Sequence, residues 1–333
     1  GVSLGYNVFY NKTDYDDADY DITSYSVDTL GAGVSIGYPI SETSSLNYGL
    51  TASQDSLSSG TYTVPSILEF MANNGGDYTE ADFTNVKASI GWGESTLNRG
   101  ILPNRGYSQS VTLQTTVPAA SDLEFYKLDY RGQHFTPLSK QTALRLHTEL
   151  GYGDGFGDTD GLPFYENYFA GGISSVRGFR NGSLGPRAVA SLAFPNISSN
   201  PNQLPNYDPV TGIYQCNPAT GICTDPDQDD QPFGGNVMIT GGVDYLFPLP
   251  FIKDQSSLRT TFFVDVGNVF STNCDDFQVD CNSPDLGDLA VSTGFGLTWI
   301  TAMGPLGFAI ATPIKEPDNS DPQFFQFTLG QTF

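Results

Sequence analysis

Apolar and polar residues alternate at every second position in several stretches of the chain, and the polar set carries charge. Between residues 124 and 133, the apolar side chains of Tyr126, Leu128 and Tyr130 alternate with polar ones. The polar positions of this stretch are Lys127, Asp129, Arg131 and Gln133. Residues 143–152 repeat the pattern. Successive side chains of a β-strand point to opposite faces, so a period of two predicts strands.

The alternating segments predict an all-β chain of about twelve strands. We place these strands near residues 1–12, 24–40, 44–57, 83–96, 107–118, 124–137, 142–153, 235–248, 257–270, 289–302, 304–314 and 324–333. Within the third connection, Ile67, Phe70 and Met71 have helical spacing, which predicts a short helix over residues 66–72 packed against other loops.

The connections between the predicted strands alternate between long and short. The long ones follow strands one, three, seven, nine and eleven and include residues 154–234 and 271–288, whereas most others are as brief as residues 41–44. Only the connection near residues 119–121 departs from this order. A soluble sheet with one hydrated face also alternates in polarity, but it is not expected to sort its loops by length. The pattern therefore predicts a transmembrane antiparallel up-and-down β-barrel, with long extracellular loops and mostly short periplasmic turns.

The charge composition of the chain limits the kinds of molecule that it can bind. The chain has 14 Lys and Arg against 37 Asp and Glu, a formal net charge of -23. A protein that binds nucleic acid needs a basic face, which this balance does not supply, so we expect no nucleic-acid partner. The same charge disfavours a surface that adheres to anionic lipid headgroups. No run of residues approaches the length of an apolar membrane helix.

The four cysteines form two local pairs. Cys216 and Cys223 enclose six residues, and Cys274 and Cys281 enclose another six. Neither pair has zinc-ribbon spacing, and both fall in predicted extracellular loops. Two disulfides in an oxidising compartment fit this placement, each contributing roughly 2–3 kcal/mol through loop closure. Four free thiols in a cytosolic protein are the alternative.

Patterns typical of enzymes fit poorly here. Residues 33–37 match the Gly-x-Ser-x-Gly elbow, but that elbow needs a strand, a turn and a helix, and these residues lie inside an alternating strand. His134 and His147 have no cysteine or histidine companions at metal-binding spacing. We therefore expect no catalytic site, no metal and no cofactor.

Residues 176–179, Val-Arg-Gly-Phe, form a motif inside the longest loop, and we call them the VRGF motif. An arginine between two apolar residues is suited to a buried carboxylate partner, because burial of Val176 and Phe179 would fix the backbone. Gly178 would permit an unusual turn. A solvated arginine in a glycine-rich loop is the alternative interpretation.

The C-terminus looks like the signal strand of bacterial outer-membrane proteins. Its aromatic and apolar residues share one face of the last strand: Phe325, Phe327, Leu329 and Phe333. Together with this strand, four internal segments resemble the BamA family of outer-membrane protein assembly factors. These segments are residues 164–186, 234–236, 263–270 and 304–307.

The resemblance implies a location in the bacterial outer membrane and a non-enzymatic insertase. The implied partners are the lipid bilayer, nascent β-barrel proteins and the lipoproteins of the assembly complex, which would be contacted through periplasmic domains. Members of the family carry those domains before a sixteen-stranded barrel. Residues 1–5 resemble the start of the family's fifth strand, so we expect a truncated barrel that lacks the periplasmic domains and the first four strands.

In this family the VRGF loop folds back into the barrel and its arginine meets carboxylates on the wall. Here the strand period points Asp244 and Asp265 inward, opposite apolar neighbours. We therefore expect Arg177 to bond to one or both aspartates, although both could simply line a hydrated lumen. Residues 1–333 are expected to form one barrel domain, with loop 154–234 folded into the lumen.

The function implied by the resemblance is assisted folding and insertion of other outer-membrane proteins. A weakly paired seam would offer strand edges to an incoming chain. A kink at Gly330 and the short terminal strand, residues 324–333, would make that edge easy to open. The alternative is a passive pore or a polypeptide-secretion transporter related to this family, with charged residues lining the wall.

Overall fold

The fold is built on one large antiparallel sheet with loops at one end. The computed structural model describes residues 1–14, 25–60, 63–188, 191–192, 215–216, 223–224, 231–249, 252, 257–274, 278–279, 281, 283–318 and 320–330. For residues 65, 191–192, 215–216, 223–224 and 279 the description covers the backbone alone.

Twelve strands form the main sheet, and each pairs with its neighbour in the sequence. The strands are β1 (Ser3–Asp14), β2 (Tyr25–Pro39), β3 (Ser44–Ser59), β4 (Glu80–Ser95), β5 (Gly106–Thr116), β6 (Phe125–Pro137), β7 (Ala143–Gly155), β8 (Val237–Phe247), β9 (Leu258–Phe270), β10 (Ala290–Thr301), β11 (Gly304–Lys315) and β12 (Phe325–Leu329). The predicted number of strands, their order and the up-and-down barrel class are confirmed. β1 and β12 stand at the two ends of the strand order.

The register of the sheet places the inward aspartates side by side. β7 and β8 pair antiparallel although the longest loop separates them, and Asp244 lies opposite Arg145. In the next ladder, Asp265 of β9 lies opposite Gly242 of β8. A glycine at that position leaves room, because a Cβ atom on Gly242 would stand 2.5 Å from Asp265 Oδ1. The two carboxylates can therefore approach the same point of the inner face, by which we mean the face that carries Asp244 and Asp265.

The outer face of the sheet is apolar. Tyr245 and Val243 of β8 are exposed on either side of the buried Asp244, and Val264 of β9 is exposed beside the buried Asp265. This alternation of exposed apolar and buried polar side chains is the arrangement expected of a barrel whose outer surface contacts lipid.

The loop end of the sheet carries short elements. They are the helix α1 (Pro65–Asn73), 3-10 turns at Phe164–Glu166 and Leu286–Asp288, and the strand segments Arg187–Ala188, Ser191–Leu192, Gln215–Cys216, Cys223–Thr224, Gln231–Pro232 and Gln278–Val279. Within the described ranges, no helix is both long and apolar enough to cross a membrane. The expected helix near residues 66–72 is confirmed, and it begins at Pro65, a residue suited to the first helical turn.

One face of α1 packs into an aromatic cluster above the sheet. Ile67 and Met71, which are one turn apart, are fully buried there with Phe83 of β4. Phe164, from the long loop, joins the same cluster and meets the ring of Phe70 edge to face, with 5.3 Å between ring centroids. The loops thus have a hydrophobic core of their own.

A short three-stranded sheet joins the long loop to Gln278–Val279 of the next loop. Arg187–Ala188 pairs with Gln231–Pro232 on one side and with Gln278–Val279 on the other. The predicted disulfide between Cys274 and Cys281 is confirmed, and it closes the loop that holds Gln278–Val279. Cys216 and Cys223 lie opposite each other in backbone register, but their side chains lie outside the described residues, so that disulfide stays a prediction.

Truncating the loop core is expected to loosen α1. The substitution Ile67→Ala removes a fully buried side chain, which costs about 2–5 kcal/mol when the surroundings cannot collapse. Protease cleavage within residues 63–76 of the folded chain should therefore accelerate by at least about tenfold. Asn73→Ala, at an exposed position of the same helix, is the matched control. Equal cleavage rates for both variants would show that the cluster does not hold α1.

Candidate functional site

The VRGF motif lies on the inner face of the sheet at the tip of a compact loop. Ala170 bridges to Leu184, and the backbone N–H of Gly172 donates to the carbonyl of Phe179 at 2.9 Å. Gly178 has a φ of 93°, in the left-handed region. A Cβ atom there would stand 3.0 Å from Cβ of Ala311, so glycine serves both the turn and the close approach to β11.

Two apolar side chains anchor the motif. Val176 and Phe179 are fully buried, in a cluster with Leu184, Val269 and Ala290. Because the side chains on either side of Arg177 and Gly178 are removed from water, the backbone between them has little freedom to move. The arginine is thereby aimed at one point of the wall.

The guanidinium of Arg177 is held by two carboxylates. Its Nε donates to Oδ2 of Asp265 at 2.7 Å, and its Nη2 donates to Oδ1 of the same residue at 2.7 Å. Nη2 also donates to Oδ1 of Asp244 at 2.6 Å. The backbone N–H of Arg177 donates to Oδ2 of Asp265 at 3.1 Å, so Asp265 receives both the side chain and the main chain. We call this set of contacts the arginine latch.

The aromatic ring of Phe263 completes the pocket for the charge. The guanidinium carbon of Arg177 lies 3.6 Å from the ring centroid, a distance at which a cation is attracted by the face of the ring. The hydroxyl of Ser292 in β10 donates to the carbonyl of Arg177. The arginine is 2% exposed. The position of Arg177 is therefore fixed by the carboxylates of the sheet, by the ring of Phe263 and by hydrogen bonds to its own main chain.

Charges in the latch are balanced. Burial alone would lower the pKa of Arg177, but the ion pairs with Asp265 and Asp244 more than offset this effect and raise its pKa. Asp244 has a second cationic neighbour, because Nη1 of Arg145 lies 3.0 Å from its Oδ2. Two arginines thus face two aspartates. A buried set of this kind fixes position more than it adds stability, since desolvation offsets much of the attraction.

A second polar anchor joins the same loop to the other side of the sheet. Glu166 accepts from Lys87 Nζ of β4 at 2.5 Å and from Lys127 Nζ of β6 at 3.2 Å. Burial would raise the pKa of Glu166, but the two lysines outweigh it and the pKa is lowered. The hydroxyl of Tyr168 also donates to Oδ1 of Asp129 in β6, at 3.0 Å. The loop therefore contacts the inner face at two separate sets of strands.

The residues nominated from the sequence fall into two groups. Val176, Arg177, Gly178 and Phe179 come together with Asp244 and Asp265 in the arginine latch. The residues of the C-terminal strand lie elsewhere, with their side chains on the outer face: Phe325, Phe327 and Leu329.

The described part of β12 ends earlier than the alternation suggested. The strand was expected to continue to residue 333, but it stops at Leu329 because Gly330 turns into the left-handed region with a φ of 89°. Phe333 lies outside the described residues. β12 pairs with β11 through five residue pairs, whereas β1 pairs with β2 through twelve. Within the described residues, the ladder of the last strand is therefore the shortest of the main sheet.

Sequence reasoning missed Glu166, a half-buried residue of the long loop itself, and Gln326, a buried residue that contacts the loop. Gln326 occupies an inward position of β12 between two outward phenylalanines, which is a signal that a polar residue needs a partner. Glu166 has no comparable signal, because its lysine partners are distant in the sequence. Among the described residues, no group of three or more His, Cys, Asp or Glu side chains is arranged to hold a metal ion.

Comparisons with known proteins match the whole chain to one family. The Omp85 superfamily domain matches residues 1–333. The outer membrane protein assembly factor BamA of Neisseria meningitidis serogroup B is 29% identical over 352 residues, which cover 100% of this chain and 40% of the relative. BamA of Nitratidesulfovibrio vulgaris is 24% identical over 220 residues, covering 65% of this chain and 21% of the relative. The chain thus spans less than half of either relative.

Solved structures give the same picture. The crystal structure of BamA from Haemophilus ducreyi lacking POTRA domains 1–3 matches with a TM-score of 0.79 and 30% identity, over 100% of this chain and 59% of that one. CdiB from Acinetobacter baumannii matches with a TM-score of 0.52 and 12% identity, over 98% of this chain and 46% of that one. The second match supports the fold alone.

The two aspartates of the latch should differ in importance. Asp265→Asn is expected to release the motif more than Asp244→Asn, because Asp265 receives three donors of Arg177 and Asp244 receives one. Breaking a buried ion pair costs about 3–5 kcal/mol, since a charge is left without compensation. The midpoint temperature of the heat-modifiable gel shift measures the loss. Asp82→Asn, at an exposed aspartate of β4, is the control. Three equal midpoints would contradict the latch.

Acid should weaken the second anchor. The pKa of Glu166 is lower in the folded chain than in the unfolded one, so its stabilisation is present above the unfolded pKa and is lost as the pH falls through the folded pKa. The difference in unfolding free energy between the wild type and Glu166→Gln should be constant above about pH 5 and shrink below about pH 4. Urea titrations across this range measure it. Glu80→Gln, at an exposed position of β4, is the matched control.

Proposed function

The chain belongs to the Omp85 superfamily and is a β-barrel protein of the bacterial outer membrane, and from this we propose that it assists the folding and insertion of other β-barrel proteins into that membrane. The observation that carries the proposal is the similarity along the whole chain to an outer-membrane protein assembly factor. The proposed role needs no bond to be made or broken in the client, so it requires no nucleophile, metal or cofactor.

The mechanism we propose uses the weak end of the sheet. An incoming strand would pair by its backbone with an edge of the sheet, the β-augmentation mode of recognition. The five-pair ladder between β11 and the described part of β12 supports this mechanism, because a short ladder offers fewer backbone hydrogen bonds against separation of the two strands than the longer ladders of the sheet. A thin apolar belt beside this edge would lower the barrier to insertion by thinning the bilayer.

We propose that residues 1–333 act as one barrel domain whose long loop, residues 154–234, closes the interior. The buried arginine latch and the half-buried ion pairs of Glu166 support this role, since both hold the loop against the inner face. The bilayer and nascent barrel proteins are the proposed partners of this domain. We assign contacts with lipoproteins of the assembly complex to the parts of the longer relatives that this chain does not span.

An open pore is disfavoured by the same loop contacts. A passive channel needs an unobstructed interior, whereas the loop segment that carries the VRGF motif is buried against β8, β9 and β10. Steady conductance would therefore be unexpected for this chain.

The proposed function is tested with the chain reconstituted into liposomes. An unfolded client barrel is added, and its folding is followed by the heat-modifiable gel shift. We expect the half-time of client folding to fall roughly tenfold, which corresponds to lowering the barrier by ~1.4 kcal/mol.

The control is an unrelated outer-membrane barrel of similar mass at the same lipid-to-protein ratio. Acceleration equal to that of the control would overturn the proposal. Steady single-channel conductance of the same preparation in planar bilayers, without acceleration of the client, would favour the pore instead.

A further inference from the structure

One side chain of the last strand bonds directly to the VRGF motif. Gln326 is 4% exposed and points to the inner face, between Phe325 and Phe327 on the outer face. Its Oε1 accepts from the backbone N–H of Gly178 at 3.1 Å, and its Nε2 donates to the carbonyl of Phe179 at 2.6 Å. The side-chain amide of Gln326 thus pairs with the N–H of Gly178 and the carbonyl of Phe179, as the backbone of a neighbouring strand would.

The chain just before β12 pairs with the motif through its backbone. The N–H of Arg180 donates to the carbonyl of Asp321 at 2.8 Å, and the N–H of Gln323 donates to the carbonyl of Gly178 at 2.8 Å. Phe179 and Pro322 form an antiparallel bridge between these bonds. Residues 321–326 therefore extend a short ladder to the motif.

The motif is consequently bonded on two sides. Its arginine side chain is fixed by Asp265 of β9 and Asp244 of β8, while its main chain is fixed by residues 321–326. Moving β12 away from β11 would strip the hydrogen bonds from Gln326 or pull the motif away from the aspartates. Leaving buried amide groups without partners is costly, so the two movements cannot be independent.

We propose that Gln326 is a positioning residue that couples the arginine latch to the terminal strand, so that β12 opens only together with release of the latch. The coupling rests on the proposed function for its purpose, since it would regulate the edge offered to a client. It is nevertheless a property of the folded chain alone.

Hydrogen exchange of the folded chain in detergent micelles, read by mass spectrometry, tests the coupling. Gln326→Met removes both hydrogen bonds at similar side-chain length. We expect exchange to rise about tenfold both in residues 176–180 and in residues 325–329, the size of effect typical of lost buried hydrogen bonds. Thr328→Val, at the next inward position of β12, is the matched control and should change neither segment.

The distinguishing measurement starts from the other side of the coupling. Arg177→Ala should raise exchange in residues 325–329, which a purely local role of Gln326 would not predict. The double variant should exceed the larger single effect only slightly, because both changes break the same connection. Unchanged exchange in residues 325–329, or strictly multiplicative effects, would overturn the proposal.

Two further variants keep the test decisive. If Gln326→Met does not fold, Gln326→Glu takes its place. It keeps an acceptor for the N–H of Gly178 but puts a carboxylate oxygen where the donor to Phe179 stood. Raised exchange in both segments would then support the coupling, and a change in one segment alone would oppose it. Asp265→Asn can replace Arg177→Ala in the same way.

No client is present in these measurements, so they test the coupling separately from the proposed function. Coupled exchange would support the inference even if client folding were not accelerated. Uncoupled exchange would overturn the inference and leave the proposed function untouched.

Discussion

The buried guanidinium of Arg177 is the constraint on which the interior of this barrel depends. A charge removed from water must be compensated, and here two carboxylates and an aromatic ring supply the compensation. Both carboxylates are offered by strands, so their positions are fixed by the register of β8 and β9 rather than by loop flexibility. A slip of one residue in either strand would turn its aspartate to the lipid face. The arginine latch and the sheet register therefore specify each other.

The local sequence of the loop follows from that constraint. Burying Val176 and Phe179 places the backbone against the wall, and Gly178 allows the turn that the close approach to β11 requires. Glu166 carries the opposite charge, and two lysines compensate its half-buried carboxylate. The loop thus carries a cation to an anionic part of the wall and an anion to a cationic part. This complementarity fixes the orientation of the loop, which apolar contacts alone would not.

Much of the fold could be predicted from the sequence because alternation with a period of two survives in every long strand. The same period nominated Asp244 and Asp265, since an aspartate between apolar neighbours has only one face on which it can lie. The apolar residues on either side of Arg177 nominated that arginine, and the resemblance to a known family placed it against the barrel wall. Glu166 and Gln326 escaped prediction because their partners lie far away in the sequence and no local pattern brings them together. The kink expected at Gly330 is present, with a φ of 89°, but the expected strand bounds of 324–333 did not take account of it.

The outer face and the inner face of the sheet stabilise the barrel in different ways. Lipid contacts with the apolar outer face are non-directional, so they hold the sheet in the membrane without distinguishing one strand arrangement from another. The inner face determines which residues lie next to each other, because a buried polar group needs a hydrogen-bond partner at a particular position. The short ladder between β12 and β11 fixes the position of β12 with few residue pairs. Its position is therefore set from inside as well, by the hydrogen bonds that Gln326 and residues 321–323 make with the VRGF motif.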